Sequence, residues 1–221
     1  PVDQTGLLDF YQRFGFRAWR KELETELGVA PAAPAPASVG LFDGTAAEPA
    51  ALPDNSALQR HYETVLSRER LHAWIERLRA AELSALDTET DSLDPMRARI
   101  VGISFAVQPG EAAYVPLRHD YPGAPDQLPL DEVLAALRPW LEDETAAKVG
   151  QNIKYDTHVL ANHGIAVRGW RHDTLLESYV FEAHLGHSLE KLAERHLGRK
   201  GLSYEDLCGK GANQIPFSQV D

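Results

Sequence analysis

"SALDTETDSLD", residues 84–94, joins an apolar run to four closely spaced acids. The run has the character of a strand, and an unpaired charge on a buried strand is costly. Successive side chains of a strand point to opposite faces, so Asp87 and Glu89 share one face and Thr88 takes the other. On a central strand both carboxylates would emerge together at its end. Like charges held so close repel unless a proton or a cation lies between them. Hard oxygen donors suit Mg²⁺ or Mn²⁺, which takes one or two carboxylates and fills its shell with water and phosphate. Alone, Asp-x-Glu is a weak signal, and a solvated strand end is its commoner meaning.

A second group of residues changes that balance. In "VGQNIKYD", residues 149–156, a short strand ends at Gly150 and a helix begins. Asn152 and Asp156 lie one helical turn apart on the same face. Asp156 can then face the strand that carries Asp87, while Asn152 offers an amide to a substrate. The plainer alternative is that Asn152 caps the helix and Asp156 is solvated. Two acids on a strand and a third on a following helix suggest a metal-dependent phosphodiesterase site.

The remaining pattern is α/β. Residues 70–82, "RLHAWIERLRAAE", place Leu71, Trp74, Ile75 and Leu78 on one face of an amphipathic helix. Val101, Ile103, Phe105 and Val107 alternate up to Pro109-Gly110, and Tyr114, Val115 and Leu117 supply the return strand of a hairpin. "PLDEVLAALRPWLED" is a helix with Asp131 as its expected cap and a kink or break at Pro139. Strands at "AAKVGQ" and "GWRHD" alternate with helices at "NIKYDTHVLANHG", "TLLESYVFEAH" and "SLEKLAERHLG". Asp173 opens a helix, where capping is its default role. Strands joined by a hairpin and then alternating with helices give a mixed sheet with flanking helices.

Ahead of this body, residues 1–28 carry Leu7, Leu8, Tyr11, Phe14, Trp19, Leu23 and Leu27 at roughly helical spacing, interrupted by Gly15. Residues 29–57, rich in Ala, Pro and Gly, are expected to be a linker. Residues 58–221 form the main domain. The net charge of -11 disfavours a protein that coats long duplex, which needs a basic surface. It is compatible with a nuclease whose cations neutralise phosphate locally. The single cysteine, Cys208, excludes an internal disulfide framework and fits a reducing cytoplasm. No apolar run is long enough to span a bilayer, so no membrane partner is expected. His184, His187 and His196 lack the cysteine pair or acid that would complete a zinc site. The start at Pro1 and the stop at Asp221 suggest a piece of a larger polypeptide.

"LDTETDSLD", "FAVQPGEAAYVPLRHDY", "KVGQNIKYD" and "HDTLLESY" together resemble the proofreading 3′→5′ exonuclease domain of bacterial DNA polymerase I, a member of the Asp-Glu-Asp-Asp exonuclease superfamily with an RNase H-like fold. The resemblance runs from about Leu71 to the C-terminus, and residues 6–24 resemble the end of that polymerase's 5′-nuclease region. It implies an RNase H-like α/β fold and hydrolysis with two bound cations, Mg²⁺ or Mn²⁺, with Zn²⁺ an in vitro substitute. Asp87 would bridge both ions, Glu89 would hold the tighter one, and Asp156 would serve the other through water. Gln151, Asn152 and Tyr155 would contact the substrate strand, Leu93 would pack on the terminal base, and Tyr204 would stack on a displaced base. Asp173 matches a position that supports the site. The implied partners are a single-stranded or frayed DNA 3′ end and the polymerase and 5′-nuclease domains of a parent chain, in the bacterial cytoplasm at the nucleoid.

One part of the family pattern is missing. Its third motif is a tyrosine followed four residues on by an acid. The residues four beyond Tyr11, Tyr62, Tyr114, Tyr121, Tyr155, Tyr179 and Tyr204 are Gly15, Leu66, Arg118, Pro125, Val159, Ala183 and Cys208. The variant with His, four residues, then Asp is absent at all 9 histidines. The expected domain is therefore incomplete at its C-terminal side and weak or inactive alone, because ligands of a coupled pair act as a unit. Two rivals are a non-catalytic DNA-positioning domain of the polymerase and a related RNA-trimming exonuclease.

Overall fold

A computed structural model of the chain describes residues 3–27 and 59–221. They belong to two compact units, Pro1–Ala51 and Leu52–Asp221. The expected linker, residues 29–57, lies outside the described residues.

In the first unit, α1 (Gln4–Arg13) and α2 (Arg17–Glu26) are separated at Gly15, whose φ of +74° suits a residue without a Cβ. Gly15 thus divides the apolar pattern into two short helices. Asp3 starts α1 by accepting a hydrogen bond from the Gly6 amide at 2.9 Å. Phe16 stacks between Phe10 and Trp19, at centroid distances of 5.8 and 5.0 Å.

The second unit is built on six strands. They are β1 (His61–Thr64), β2 (Ser84–Thr90), β3 (Ile100–Gln108), β4 (Glu111–Pro116), β5 (Lys148–Gly150) and β6 (Trp170–Asp173), in the spatial order β1-β4-β3-β2-β5-β6. β2, β3 and β4 form an antiparallel meander, whereas β1 joins β4, β5 joins β2 and β6 joins β5, each in parallel. The β3–β4 hairpin turns at Pro109-Gly110, where Gly110 supplies a φ of +84°.

Between the strands run α3 (Arg68–Ala80), α4 (Leu130–Leu141) and α5 (Ile153–Ala161), and α6 (Thr174–Phe181), α7 (Leu189–Leu197) and α8 (Tyr204–Cys208) follow β6. α3 buries the four residues its periodicity marks, Leu71, Trp74, Ile75 and Leu78. They pack with Leu86, Ile103, Phe105 and Val115 from the sheet and Val133, Leu137 and Trp140 from α4. Trp140 meets Phe105 edge-on at 5.8 Å. One face of the sheet is thereby the core face, and register puts Leu86 and Thr88 on it. Asp87 and Glu89 take the other face.

Three details differ from the pattern-based expectation. Asp131 lies in the first turn of α4, and the N-cap is Pro129 with no side-chain capping bond. Asp131 can favour the helix only through its charge at the N-terminus. Pro139 does not break α4, which continues to Leu141; a proline in the last turn forfeits one hydrogen bond near an end that frays anyway. Finally, β1 and α8 carry no legible periodicity: "HYET" is an exposed edge strand, and "YEDLC" is too short for a face to repeat.

Candidate active site

β2 is a central strand, yet its pairing with β5 covers only Ser84↔Lys148 and Ala85↔Val149. Beyond Ala85 that edge of β2 would be left without acceptors. Asp156, on the first turns of α5, fills the place. Its Oδ1 accepts from the Thr88 amide at 3.0 Å and from the Thr88 hydroxyl at 2.6 Å. Asp87 therefore lies mid-strand rather than at the strand end.

Asp156 is 1% exposed, and its Oδ2 is buried with no hydrogen-bond partner. A lone buried carboxylate oxygen is an expensive feature to keep without a ligand. Burial raises the Asp156 pKa to about 7, with the Thr88 hydroxyl acting against the shift and the Asp87 charge adding to it. Burial, then Asp87 and Asp156, raise Glu89 to about 7 as well. Burial also pushes Asp87 up, opposed by the Thr88 backbone. Glu89 thus senses the charges of Asp87 and Asp156, and Asp156 senses that of Asp87. Among the described residues, no three Asp, Glu, His or Cys side chains close on a single point in a ligating arrangement. The all-oxygen donors and the partnerless Oδ2 nevertheless fit a hard divalent cation.

Asp173, at the end of β6, fixes the entry to α5. Its Oδ1 accepts from the amides of Asn152 and Leu175, both at 3.0 Å, and its Oδ2 accepts from Ile153 at 3.1 Å. One carboxylate so caps α5 and α6 together, at the positive ends of both helices. Asn152 occupies the N-cap position with φ 61° and ψ 47° and makes no side-chain capping bond. It is the one non-glycine with positive φ among the described residues. Asp173 does the capping, so the Asn152 side chain does not serve as the cap.

The other expected contact residues take distinct places. Tyr155 donates its hydroxyl to the Ser92 carbonyl and meets the Thr90 hydroxyl, tying α5 to the loop after β2. That loop presents Leu93, which is 96% exposed. Both ends of the Gln151 amide are engaged within the protein, the nitrogen by the His187 carbonyl at 2.8 Å and the oxygen by the Thr174 hydroxyl. Tyr204 opens α8, half-exposed, and its pKa is raised first by the hydrogen bond with Cys208 and then by burial. Arg195 is taken up by Glu182 at 2.8 Å and Lys210 by Glu205. His187 bonds the Ser178 hydroxyl at 2.8 Å and stacks on Tyr179, a structural use rather than a ligand's. Cys208 is buried.

Two contacts could not be read from the sequence, although a supporting role for Asp173 was implied by the resemblance. The grip of Asp173 on α5 joins positions 20 and 21 residues apart, and only the β5–β6 pairing brings them together. Tyr114 also lies on the acid-bearing face, because Ser104 is the cross-strand partner of both Asp87 and Tyr114.

Residues 62–220 match the 3′-5′ exonuclease family. The chain is 51% identical over 162 residues to DNA polymerase I of Pseudomonas aeruginosa, a match covering 72% of this chain and 18% of that protein. It is 40% identical over 178 residues to DNA polymerase I of Rhizobium leguminosarum, covering 72% and 17%. The chain thus spans about a fifth of the length of these curated relatives. Among solved structures, the POL domain of Pol1 from M. smegmatis in complex with DNA primer-template and dNTP aligns with a TM-score of 0.52 at 23% identity, covering 62% of this chain and 23% of that one. The catalytic core of RRP6 from Trypanosoma brucei aligns with a TM-score of 0.53 at 14% identity, covering 68% and 38%. At such identities these likenesses speak for the fold alone, the RNase H-like mixed sheet.

Proposed function

The chain belongs to the 3′-5′ exonuclease family, and from that premise we propose that it is the proofreading exonuclease portion of a bacterial DNA polymerase I, removing nucleotides from a single-stranded or frayed DNA 3′ end. The observation that carries the reading is the Asp156 carboxylate, buried with one oxygen partnerless, its pKa raised by that burial and further by the Asp87 charge. Three buried or half-buried carboxylates in mutual repulsion are what a site for divalent cations requires before it is filled.

Asp87 and Glu89 would hold such ions, Mg²⁺ or Mn²⁺, from the sheet and Asp156 from α5, with Thr88 fixing the Asp156 rotamer. Bound there, the ions would supply the nucleophilic water and stabilise the leaving 3′ oxygen. The protein's own residues do the positioning. The Asn152 side-chain amide would bind the strand, while Gln151, whose amide is held by the His187 carbonyl and the Thr174 hydroxyl, would contact it only by giving up those bonds. Leu93, on the loop that Tyr155 tethers, would pack on the terminal base. Tyr204 would stack on a base, an interaction worth roughly 1–3 kcal/mol that tolerates any sequence. Selectivity follows from access, since a frayed end reaches the site more readily than a paired one. Residues 58–221 would be the exonuclease domain, without its third-motif acid. Residues 1–28 would be the tail of an upstream 5′-nuclease domain, in a bacterial cytoplasmic enzyme. Among the described residues, no helix is long and apolar enough to cross a membrane.

The test is divalent-metal-dependent release of nucleoside monophosphates from a 3′-labelled single strand. It compares this chain, a longer version carrying a Tyr-x-x-x-Asp motif, and that longer version with Asp87→Ala. Release by the longer version, slower or absent in this chain and lost on substitution, is the expected result. No release by either, or faster release from RNA than from DNA, would overturn the reading.

A further inference from the structure

Tyr114 and His119 form a hydrogen-bonded pair beside the acids, within the quoted stretch "FAVQPGEAAYVPLRHDY", and no role has been assigned to them above. In the cross-strand rows, Gly102 lies opposite Glu89. The Tyr114 ring and hydroxyl lie across Gly102 so closely that a Cβ there would collide with them. Paired Cβ positions on adjacent strands are ~5 Å apart, so the phenol oxygen is within side-chain reach of Glu89. Burial and then the Glu89 charge hold the Tyr114 pKa well above its ordinary value.

The hydroxyl meets His119 Nε2 at 2.7 Å, and His119 Nδ1 meets the Val220 carbonyl oxygen at 3.0 Å. A carbonyl oxygen only accepts, so Nδ1 carries the imidazole proton. In the neutral ring Nε2 then has to accept, and Tyr114 donates to it. The histidine is itself clamped: its amide donates to the Gln127 side chain and its carbonyl accepts from it, both at 2.8 Å. The Phe217 ring packs on the imidazole at 5.9 Å, and the Asp120 amide holds the Ser218 carbonyl at 2.9 Å.

We propose that His119 is a positioning residue of the acidic site: it keeps the Tyr114 hydroxyl proton turned away from Glu89, so that both Glu89 oxygens stay available to a cation. Without His119 the phenol would donate to the nearest strong acceptor, Glu89, and compete with the ion for its lone pairs.

Two measurements on the chain test this, and only the second rests on the cation-site reading. Long-range ¹H–¹⁵N correlation of the imidazoles, with His119→Phe for assignment, should show His119 in the Nδ1–H tautomer. An Nε2–H tautomer would overturn the proposal. Direct Mn²⁺ binding, followed by electron paramagnetic resonance, should weaken roughly tenfold in His119→Phe, about the worth of one hydrogen bond to a charged group. It should return toward wild type in His119→Phe/Tyr114→Phe, where no competing donor remains. A double variant as weak as His119→Phe would show that release of residues 217–220 causes the loss, and the proposal would fall. Should wild type hold no Mn²⁺, the cation-site reading fails by itself, and the tautomer alone decides the role of His119.

Discussion

Replacing Asp156 with asparagine should stabilise the metal-free protein at pH 8 while removing a residue assigned to its chemistry. The asparagine side chain would keep an Oδ1 for the Thr88 amide and hydroxyl, so the link between α5 and β2 survives. What disappears is a buried negative charge. The Asp156 pKa is raised from 3.8 to about 7, so the folded state binds a proton through a range where the unfolded chain has released it. A raised carboxylate contributes stability at low pH and loses it as pH climbs toward the folded value. Between pH 5, above the unfolded pKa, and pH 7 that loss is about 1.4 kcal/mol per unit over 2 units, or roughly 3 kcal/mol, and it is complete by pH 8. The new amide nitrogen takes the place of the partnerless Oδ2, and its unsatisfied N–H costs about 1–3 kcal/mol at every pH. The pH-dependent difference between the two proteins is therefore the clean quantity. Urea unfolding followed by tryptophan fluorescence at pH 5 and pH 8, with chelator present, should show wild type losing ~3 kcal/mol more than Asp156→Asn over that interval. Relief of Glu89, whose pKa the Asp156 charge helps to raise, would widen the gap. Parallel stability profiles for the two proteins would refute the argument that Asp156 is held against its charge.

Two further substitutions probe the scaffold. Asp173→Ala removes the acceptor shared by α5 and α6, and should cost about 2 kcal/mol or more in urea unfolding, twice an ordinary cap, because two helix starts lose their partner. Gly102→Ala drives a methyl into the Tyr114 ring and should cost about 1–3 kcal/mol by the same assay, while Tyr114→Phe leaves that steric relation intact.

Much of the site was legible because its elements carry their own period. The i, i+2 spacing of Asp87 and Glu89 fixes their common face whatever the sheet order, and the apolar stripe of α3 fixes the side that packs. Asp156 was legible as a third acid on a helix after a strand. The places of Leu93 and Tyr204 came from motif resemblance, since an exposed leucine on a loop and a tyrosine opening a five-residue helix have no period to betray them.

Local sequence sufficed for the alternation of strands and helices and for the set of acids, since both depend on neighbours within a few residues. How those acids act was left to contacts made in the folded chain. The brief β2–β5 pairing leaves the Thr88 amide for Asp156, and β6 brings Asp173 under α5 so that Asn152 need not cap. The β4 register lays Tyr114 over Gly102 next to Glu89. Each is a contact between segments distant along the chain, where the cost of burying a charge or orphaning an amide is settled only once the sheet has closed.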